Sequence, residues 1–299
     1  DIHLGVGSGS HATQTAKVMV EFEKVCNEYQ PSMVVVVGDV NSTLACTIVC
    51  AKSVIPCAHV EAGLRSFDRE MPEEVNRILT DSIANLLLTP SADGDENLRN
   101  EGVVEERIFR VGNIMIDTLF ENKSKISNNS KIVKNSLIIN KPYFVMTLHR
   151  PSNLTDITLQ NIFEAVSSFT EDYQIILPAH PRLKNYIDEE DIEYKNITLI
   201  DPLSYIDFLG LVNGSELVLT DSGGLQEETT HLNVKCLTIR NETERPITVS
   251  EGTNKVIGVD TEIIISEINN AIESKLSVGK KIKFWDGETS SRIYKELFE

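Results

Sequence analysis

The chain alternates between short apolar runs and helix-like stretches over nearly its whole length, which restricts the folds open to it. Continuous apolar runs such as Met33–Val37 are typical of strands that are buried on both faces of a parallel sheet. The strands predicted in this way are Met33–Val37, Cys57–Val60, Leu86–Thr89, Arg107–Val111, Tyr143–Leu148, Gln174–Leu177, Leu217–Thr220 and Cys236–Ile239. The predicted helices between them are Ala12–Glu28, Leu44–Lys52, Pro72–Ile83, Asp93–Asn100, Thr158–Ser168, Tyr205–Val212 and Leu225–Leu232. Repeated β–α units predict an α/β protein.

A change of composition divides this alternation into two arrays. The segment Asn122–Asn140 is rich in Lys, Asn and Ser, which predicts a surface helix and loop that opens a second domain. A chain of 299 residues is long enough for two domains of about 150 residues each. We therefore predict two Rossmann-like, doubly wound domains that face each other across a cleft. The first array, 1–117, is short for such a domain, so we expect its sheet to lack one or two units at the start.

Charge and cysteine usage exclude several classes of partner. The formal net charge of −17 argues against nucleic acid and against an anionic membrane surface, because like charges repel. No apolar run approaches the ~18 residues that are needed to cross a bilayer, and no signal-peptide pattern opens the sequence. The five cysteines form no C-x-x-C pair, which favours reduced thiols in a cytoplasmic protein. The six histidines are scattered, so no metal site is predicted.

One glycine-rich turn points to a phosphate ligand. Ser222-Gly223-Gly224 lies between the predicted strand Leu217–Thr220 and a predicted helix. The N-terminus of a helix presents free N–H groups and a positive dipole, and glycine lets a phosphate approach the backbone closely. Glu228, one turn into the helix, is placed to bind a ribose hydroxyl. A plain strand–turn–helix corner is the alternative explanation of this stretch.

Other candidate residues follow from the rule that ligands of open α/β sheets bind beyond the carboxyl ends of the strands. In the first array these positions hold mostly carboxylates, namely Asp39, Glu61, Glu73 and Glu74, with Arg77. In the second array they hold His149, Arg150, His180 and Arg245 together with the glycine turn. A nucleotide bound in the second domain would therefore hold its distal group against the acids of the first.

Several of these residues also have purely structural explanations. Asp39 suits a helix cap, and Glu73 suits an i,i+4 pair with Arg77 at a helix start. His180 suits a hydrogen-bonded loop histidine, and Arg245 a surface charge. Glu74 is better explained as a helix-start charge than as a catalytic group.

Six motifs, in order and with similar spacing, resemble the non-hydrolysing UDP-N-acetylglucosamine 2-epimerases. They are Gly38-Asp39-Val40-Asn41-Ser42-Thr43, His59-Val60-Glu61-Ala62-Gly63-Leu64-Arg65, Met71-Pro72-Glu73-Glu74-Val75-Asn76-Arg77, Thr147-Leu148-His149-Arg150, Thr220-Asp221-Ser222-Gly223-Gly224-Leu225-Gln226-Glu227-Glu228 and Thr243-Glu244-Arg245-Pro246. Phe284-Trp285-Asp286-Gly287 also resembles the C-terminal segment of that family.

The resemblance implies a GT-B-like fold of two Rossmann-like domains, with a C-terminal helix that crosses back to the first. The predicted domains are then 1–117, 118–283 and the closing helix 284–299. The implied reaction interconverts UDP-GlcNAc and UDP-ManNAc by anti elimination of UDP to a 2-acetamidoglucal and re-addition of UDP. It uses no cofactor and requires no metal. The partners implied are these nucleotide sugars and UDP, with a homodimer as the assembly.

By the same resemblance, individual residues acquire roles. The implied catalytic residues are Asp39, Glu61, Glu73 and His149, the histidine lying beside the phosphates. The implied diphosphate contacts are Ser222, Gly223, Gly224 and Arg245, while Glu228 binds the ribose and the backbone at Phe208 meets uracil. Arg77, Arg150 and His180 complete the predicted substrate-binding set.

The sequence departs from the family pattern at its front. Family members open with a strand and a Gly-Thr-Arg-Pro-Glu-like turn that brings an arginine and a lysine near the diphosphate, and this sequence has no such motif. We therefore expect weak or absent turnover. Two alternatives stay open, a UDP-binding remnant of the family and a UDP-sugar glycosyltransferase of the same fold. The sugar also stays open, because related epimerases act on di-acetamido uronic acids.

Overall fold

A computed structural model describes residues 1–136, 140–150, 153–179, 181–189, 197–274 and 281–299. The chain divides into two compact units, one formed by Asp1–Ile114 with Lys283–Glu299 and the other by Met115–Ile282. Each unit is an α/β structure around its own parallel sheet. The α/β class with two parallel sheets, predicted from the alternation of strands and helices, is confirmed.

The first unit contains a four-stranded parallel sheet whose order follows the chain, β1-β2-β3-β4. Its strands are β1 (Val34–Val37), β2 (Cys57–Val60), β3 (Leu86–Thr89) and β4 (Ile108–Arg110). Its first helices are α1 (His11–Tyr29), α2 (Asn41–Ser53), α3 (Pro72–Ile83) and α4 (Ala92–Asn100), and a 3₁₀ turn at Glu105–Arg107 precedes β4.

Burial differs sharply between the first two strands of this sheet. Every residue of β2 is buried, as its apolar run predicts. The prediction that Met33–Val37 is buried on both faces is wrong, since Val35 and Val37 are 45% and 53% exposed. The reason is that β1 lies at the edge of the described sheet, where it pairs only with β2.

The second unit contains a six-stranded parallel sheet in the order β10-β9-β8-β5-β6-β7. Its strands are β5 (Tyr143–Thr147), β6 (Gln174–Pro178), β7 (Ile197–Ile200), β8 (Leu217–Thr220), β9 (Cys236–Thr238) and β10 (Asn254–Val256). Its helices are α5 (Ile114–Ser136), α6 (Asp156–Ser167), α7 (Pro181–Glu189), α8 (Tyr205–Asn213), α9 (Gly223–Leu232), α10 (Ile247–Ser250) and α11 (Thr261–Glu273). The largest buried cluster gathers apolar residues of β5, β6, α6 and α11, among them Phe144, Leu177, Phe163 and Ile264.

The sequence pattern missed several elements of this unit, namely β7, β10, α7 and α11. Helix α5 also begins well before Asn122, because its first turns bury Leu119 and Ile126 against Leu209 of α8. The Lys- and Asn-rich sequence therefore continues a helix whose first turns are packed through apolar side chains.

The last segment of the chain belongs to the first unit. Helix α12 (Thr289–Phe298) places Ile293 and Leu297 against the buried cluster that contains Val60 and Leu88. Trp285 is buried and donates its indole N–H to the carbonyl oxygen of Pro90 at 3.0 Å. Arg292 Nη1 donates to the carbonyl oxygen of Val111 at 3.0 Å. The core of the first unit is thus completed by residues from the far end of the sequence.

Gly112 permits the closest approach in this packing. Its φ is +100°, and a Cβ at this position would overlap the carbonyl group of Phe284.

We expect Gly112→Ala to lower the free energy of unfolding by about 3–5 kcal/mol, since a left-handed backbone and a steric clash add together. Gly102 is the matched control, because its φ is +85° and a Cβ there would meet nothing within 4 Å. Gly102→Ala should cost about 1–2 kcal/mol in a denaturant titration. Equal losses for the two variants would contradict this packing.

Candidate active site

The order of strands in the second unit marks a place where a ligand binds. Strand β5 pairs with β6 on one side and with β8 on the other, so the chain reverses its winding direction between β5 and β8. Such a topological switch point leaves a crevice beyond the carboxyl ends of the two strands. The residues that follow them are His149 and Arg150 after β5 and Asp221 and Ser222 after β8.

Asp221 holds the two strand ends together. Its carboxylate is fully buried and accepts hydrogen bonds from the backbone N–H groups of His149 and Arg150, at 3.0 and 2.9 Å, and from Asn153 Nδ2 at 3.2 Å. His149 Nδ1 lies 2.7 Å from Asp221 Oδ1, while 56% of the His149 side chain is exposed. Burial alone would raise the pKa of Asp221, but the bonds and charge from His149 and these N–H groups lower it. An ionised Asp221 therefore presents the His149 ring at the end of β5.

Asp221 is a residue that the sequence interpretation did not select. It stands within the glycine-turn motif, directly after a buried strand, and that position was the available signal.

The glycine turn forms the start of helix α9. Ser222 is the N-cap residue, its side chain makes no capping hydrogen bond, and the first turn contains no acidic residue. A Cβ at Gly223 would lie 2.5 Å from both Arg245 Nη1 and Glu244 Oε1, so a larger residue here would displace these side chains. At Gly224 the same position is open, with nothing within 4 Å. An uncapped helix start beside a guanidinium group is suited to bind an anion.

Two glutamates form ion pairs with the arginines at this turn. Glu244 Oε1 lies 2.6 Å from Arg245 Nη1 and 3.6 Å from Arg150 Nη2, and Glu227 Oε1 lies 3.0 Å from Arg245 Nε. Arg240 pairs with the second oxygen of Glu244 at 2.9 Å. Arg245 is only 8% exposed, so its alternative explanation as a surface charge is wrong. The structure brings Arg150 and Arg245 to the glycine turn together.

Glu228 lies deeper in α9 and faces α8. It is 6% exposed, and its Oε1 accepts a hydrogen bond from the Tyr205 hydroxyl at 2.9 Å. Burial raises the pKa of Glu228 to about 7, against the lowering effect of the Tyr205 bond. Phe208 lies on the same helix as Tyr205 and is partly buried against the cluster of Leu119, Ile126 and Leu209. His180, also predicted for this site, lies outside the described residues.

In the first unit, Asp39 is held by residues of helix α3. Arg77 Nη2 lies 2.5 Å from Asp39 Oδ2, and Asn76 Nδ2 donates to the Asp39 carbonyl oxygen at 2.9 Å. The side chain of Asp39 does not cap α2, whose N-cap residue is Val40. Arg77 itself is only 3% exposed, so the group that orients the Asp39 carboxylate is a buried guanidinium.

Glu74 is the second ion-pair partner of Arg77, at 2.9 Å, and it is fully buried. It accepts hydrogen bonds from the backbone N–H groups of Ser66 and Phe67 and from the Ser66 hydroxyl. Glu74 lies in the first turn of α3, as predicted for a helix-start charge, but it is buried and ion-paired. Its role is to fix the loop that follows Glu61-Ala62-Gly63.

Glu61 occupies a strained position at the end of β2. Its φ is +74°, a region that residues other than glycine rarely adopt and that is enriched at functional sites. Its Oε2 would lie 3.5 Å from a Cβ built on Gly38, so the Glu61 carboxylate sits beside the Gly38-Asp39 turn. Glu73 lines a pocket of about 370 Å³ at the starts of α2 and α3, together with Asn41, Ser42 and Asn76. The first unit thus presents its predicted carboxylates around neighbouring turns.

Comparison with known proteins assigns the chain to a family. Residues 1–298 match the family model of UDP-N-acetylglucosamine 2-epimerase. The chain belongs to the UDP-N-acetylglucosamine 2-epimerase family. This finding confirms the resemblance seen in the six sequence motifs.

Members of the epimerase family match the chain over nearly its full length. The UDP-N-acetylglucosamine 2-epimerase of Methanocaldococcus jannaschii is 42% identical over 305 residues, which cover 99% of this chain and 83% of that protein. The crystal structure of the M. jannaschii enzyme in complex with UDP-GlcNAc and UDP has a TM-score of 0.89 and covers 98% of this chain and 83% of that one. The UDP-2,3-diacetamido-2,3-dideoxy-D-glucuronate 2-epimerase of Pseudomonas aeruginosa is 34% identical over 306 residues, 99% of this chain and 83% of that protein.

Two structural features are absent from the described part of this epimerase-family chain. No helix among them is long and apolar enough to cross a membrane. Within the same residues, no group of three or more His, Cys, Asp or Glu side chains is arranged to hold a metal ion.

Proposed function

We propose that the protein interconverts UDP-GlcNAc and UDP-ManNAc by elimination and re-addition of UDP through a 2-acetamidoglucal intermediate. The observation that carries the proposal is the uncapped start of α9 at the switch point of the second sheet, flanked by His149, Arg150 and Arg245. A relative that is 42% identical over 99% of this chain is named UDP-N-acetylglucosamine 2-epimerase. The proposal includes a homodimer as the assembly, and the five free cysteines support a reducing, cytoplasmic location.

The second unit would bind the nucleotide. In this proposal the diphosphate lies on the backbone N–H groups of Ser222, Gly223 and Gly224, with Arg245 and Arg150 opposite its charge. His149 donates to a phosphate oxygen. Glu228 accepts hydrogen bonds from the ribose hydroxyls, while the backbone at Phe208 and the side chain of His180 complete the nucleotide site.

In this proposal the first unit supplies the groups that transfer protons. They are three carboxylates, Asp39, Glu61 and Glu73. One of them removes the proton at C2, the electron pair forms the C1–C2 double bond, and the C1–oxygen bond breaks with UDP as the leaving group. In the return step UDP adds to C1 while an acid delivers a proton to C2. This proton arrives on the face of the sugar opposite to the one from which the first proton was removed. Arg77 keeps Asp39 oriented throughout.

The proposal predicts that solvent hydrogen enters the sugar at C2. The protein is incubated with UDP-GlcNAc in deuterated water, and C2 is followed by proton NMR. Deuterium at C2 with appearance of the manno epimer supports the proposal, whereas binding without exchange favours a UDP-binding remnant. Transfer of the sugar to an acceptor with C2 unlabelled would favour a glycosyltransferase. Because the P. aeruginosa relative is named for a di-acetamido glucuronate, that nucleotide sugar is the second substrate to test.

Nucleotide binding should depend on pH through Glu228. An ionised carboxylate accepts both ribose hydroxyls, and the pKa of Glu228 is raised to about 7 in the unliganded protein. We expect the affinity for UDP-GlcNAc to fall about tenfold between about pH 8 and about pH 6, as one proton is taken up. Calorimetry with UDP-GlcNAc is the measurement, since both its phosphates are esterified and lose no proton in this range.

Two variants separate Glu228 from other titrating groups. Tyr205→Phe removes a bond that lowers the pKa of Glu228, so the fall in affinity should begin at a higher pH and be rescued under alkaline conditions. Glu228→Gln should bind weakly with little dependence on pH. An unchanged pH profile in Glu228→Gln would show that another group is responsible.

A further inference from the structure

Beneath the turns that carry Asp39 and Glu61, the first unit buries a histidine that the proposed reaction does not use. His59 lies on β2 with none of its side chain exposed. Its Nδ1 is 2.6 Å from Asp81 Oδ1, and its Nε2 is 2.8 Å from the carbonyl oxygen of Gly38. Asp81 lies on α3 and is 1% exposed.

The partners of His59 define its protonation state. The carbonyl oxygen of Gly38 can only accept a hydrogen bond, so Nε2 must carry a proton. The Asp81 carboxylate is ionised, because its Oδ2 already accepts from the Gly63 N–H at 3.1 Å and lies 2.8 Å from Arg65 Nη1. Nδ1 must therefore carry a proton as well. With both ring nitrogens donating, His59 is an imidazolium ion.

These contacts join two turns that are separate in sequence. Through Nε2, His59 holds the Gly38-Asp39 turn, where Gly38 adopts a φ of +72°. Through Asp81, it is linked to the Gly63 N–H in the turn that begins with Glu61, itself at a φ of +74°. Strained backbone of this kind persists only where the surroundings over-determine it. The same buried pair thus fixes both turns that present the proposed acids.

The charges around His59 come from several elements. Asp81 faces it from α3, Glu61 from the loop after β2 and Cys57 from its own strand. Arg65 of the same loop pairs with Asp81. Arg65 is paired in turn with Glu101, at 2.7 Å. Burial by itself would lower the pKa of His59, but the hydrogen bond and charge of Asp81, with the Gly38 carbonyl and Glu61, raise it above the ordinary value.

We propose that His59 is a positioning residue of the epimerase reaction, a buried imidazolium that fixes the turns bearing Asp39 and Glu61. The proposal rests on the proposed function, because it assigns to these turns the acids that act at C2. The ionised Asp81 carboxylate retains the proton on Nδ1, so the proton released to solvent at high pH is the one on Nε2. Its loss leaves a nitrogen lone pair against the Gly38 carbonyl oxygen. The Gly38-Asp39 turn then loses its tether while the nucleotide site in the second unit is unaffected.

The direction of the pH effect follows from the direction of the pKa shift. A histidine whose pKa is raised on folding contributes its full stabilisation below the unfolded value of about 6.5. That contribution is lost as the pH rises through the folded value. We therefore expect the turns to loosen, and C2 exchange to slow, on the alkaline side.

The first test reads the charge of His59 without requiring activity. In protein labelled with ¹⁵N-histidine, we expect one histidine to keep both ring nitrogens protonated at slightly alkaline pH. That signal should vanish in His59→Gln and persist in His3→Gln, which removes an exposed histidine. Amide hydrogen exchange should quicken in peptides covering 34–45 and 57–66 of His59→Gln. A neutral His59 ring, or unchanged exchange in both peptides, would overturn the proposal.

The second test connects His59 to the chemistry. His59→Gln should reduce kcat for C2 deuterium exchange about tenfold or more and change KM less than about threefold. It should also lose the alkaline decline that is expected of the parent protein. If His59→Gln does not fold, Asp81→Asn serves instead, and it should move the alkaline decline to lower pH. An identical pH profile in the variant that folds would contradict a positioning role. Absence of C2 exchange in the parent protein contradicts the proposed function, while the NMR and hydrogen-exchange results still decide whether His59 is an imidazolium that fixes the turns.

Discussion

Replacing Glu61 by glutamine is expected to lower the rate of deuterium incorporation at C2 of UDP-GlcNAc by about 10²–10⁴-fold. Glutamine preserves the size of the side chain and its place beside Gly38, but its amide neither takes up nor delivers a proton at C2. The strained backbone at Glu61, with φ +74°, points to a carboxylate whose position matters more than local stability. NMR of the sugar in deuterated water gives the rate, and calorimetry should show that UDP affinity changes little.

The matched control for this variant is Glu106→Gln, which removes an exposed carboxylate from the 3₁₀ turn before β4. It should exchange C2 at the parent rate. If Glu61→Gln retains the parent rate, the proton at C2 is moved by another group. Asp39→Asn and Glu73→Gln then become the variants that locate it.

Replacing Asp221 by alanine is expected to remove most nucleotide binding and to destabilise the second unit by about 3–5 kcal/mol. The buried Asp221 carboxylate accepts from two backbone N–H groups and from Asn153, and it pairs with His149. Its loss leaves these buried donors without their acceptor, which costs about 1–3 kcal/mol for each group that finds no other partner. It also releases His149 and Arg150 from the end of β5. Urea denaturation and calorimetry with UDP-GlcNAc measure the two effects.

The effect of Asp221 on stability should depend on pH in a defined direction. The pKa of Asp221 is lowered on folding, so its stabilisation is complete above the unfolded value of about 3.9 and is lost as the pH falls through the folded value. The difference between the parent and Asp221→Ala should therefore be full at neutral pH and shrink in acid. Asp172→Ala, which removes an exposed carboxylate of the same unit, should show neither effect. A small, pH-independent loss in Asp221→Ala would contradict the role of this carboxylate as the centre of the site.

The sequence was sufficient to predict which candidate residues lie at strand ends and helix starts, because these boundaries can be recognised from local patterns. It correctly indicated the turn at Ser222, the strand end at His149 and the α/β class of both units. It did not indicate which carboxylates are buried. Glu74 and Asp221 appear in sequence as ordinary acids beside a helix start, and only their tertiary donors show that each one holds a loop.

Other differences have the same origin in long-range packing. The apolar run Met33–Val37 has the composition of a central strand, yet its exposure is set by its place at the edge of the described sheet. His59 stands in a motif noted for Glu61, and nothing local shows that both its ring nitrogens meet oxygen atoms. Pairings between residues 20 or more positions apart follow from the fold, and the sequence pattern does not encode them in a recognisable form.

The return of Trp285 and α12 to the first unit has a consequence for how the protein is made. Residues that complete the core of the first unit leave the ribosome only after the whole of Met115–Ile282 has been synthesised. At about 5–20 residues per second, this delay is roughly 10–30 s. By the end of that interval the second unit has all of its described strands, while Val60, Leu88 and Val111 still lack part of their final covering. Co-translational folding is therefore expected to finish with the first unit, even though its sequence emerges first.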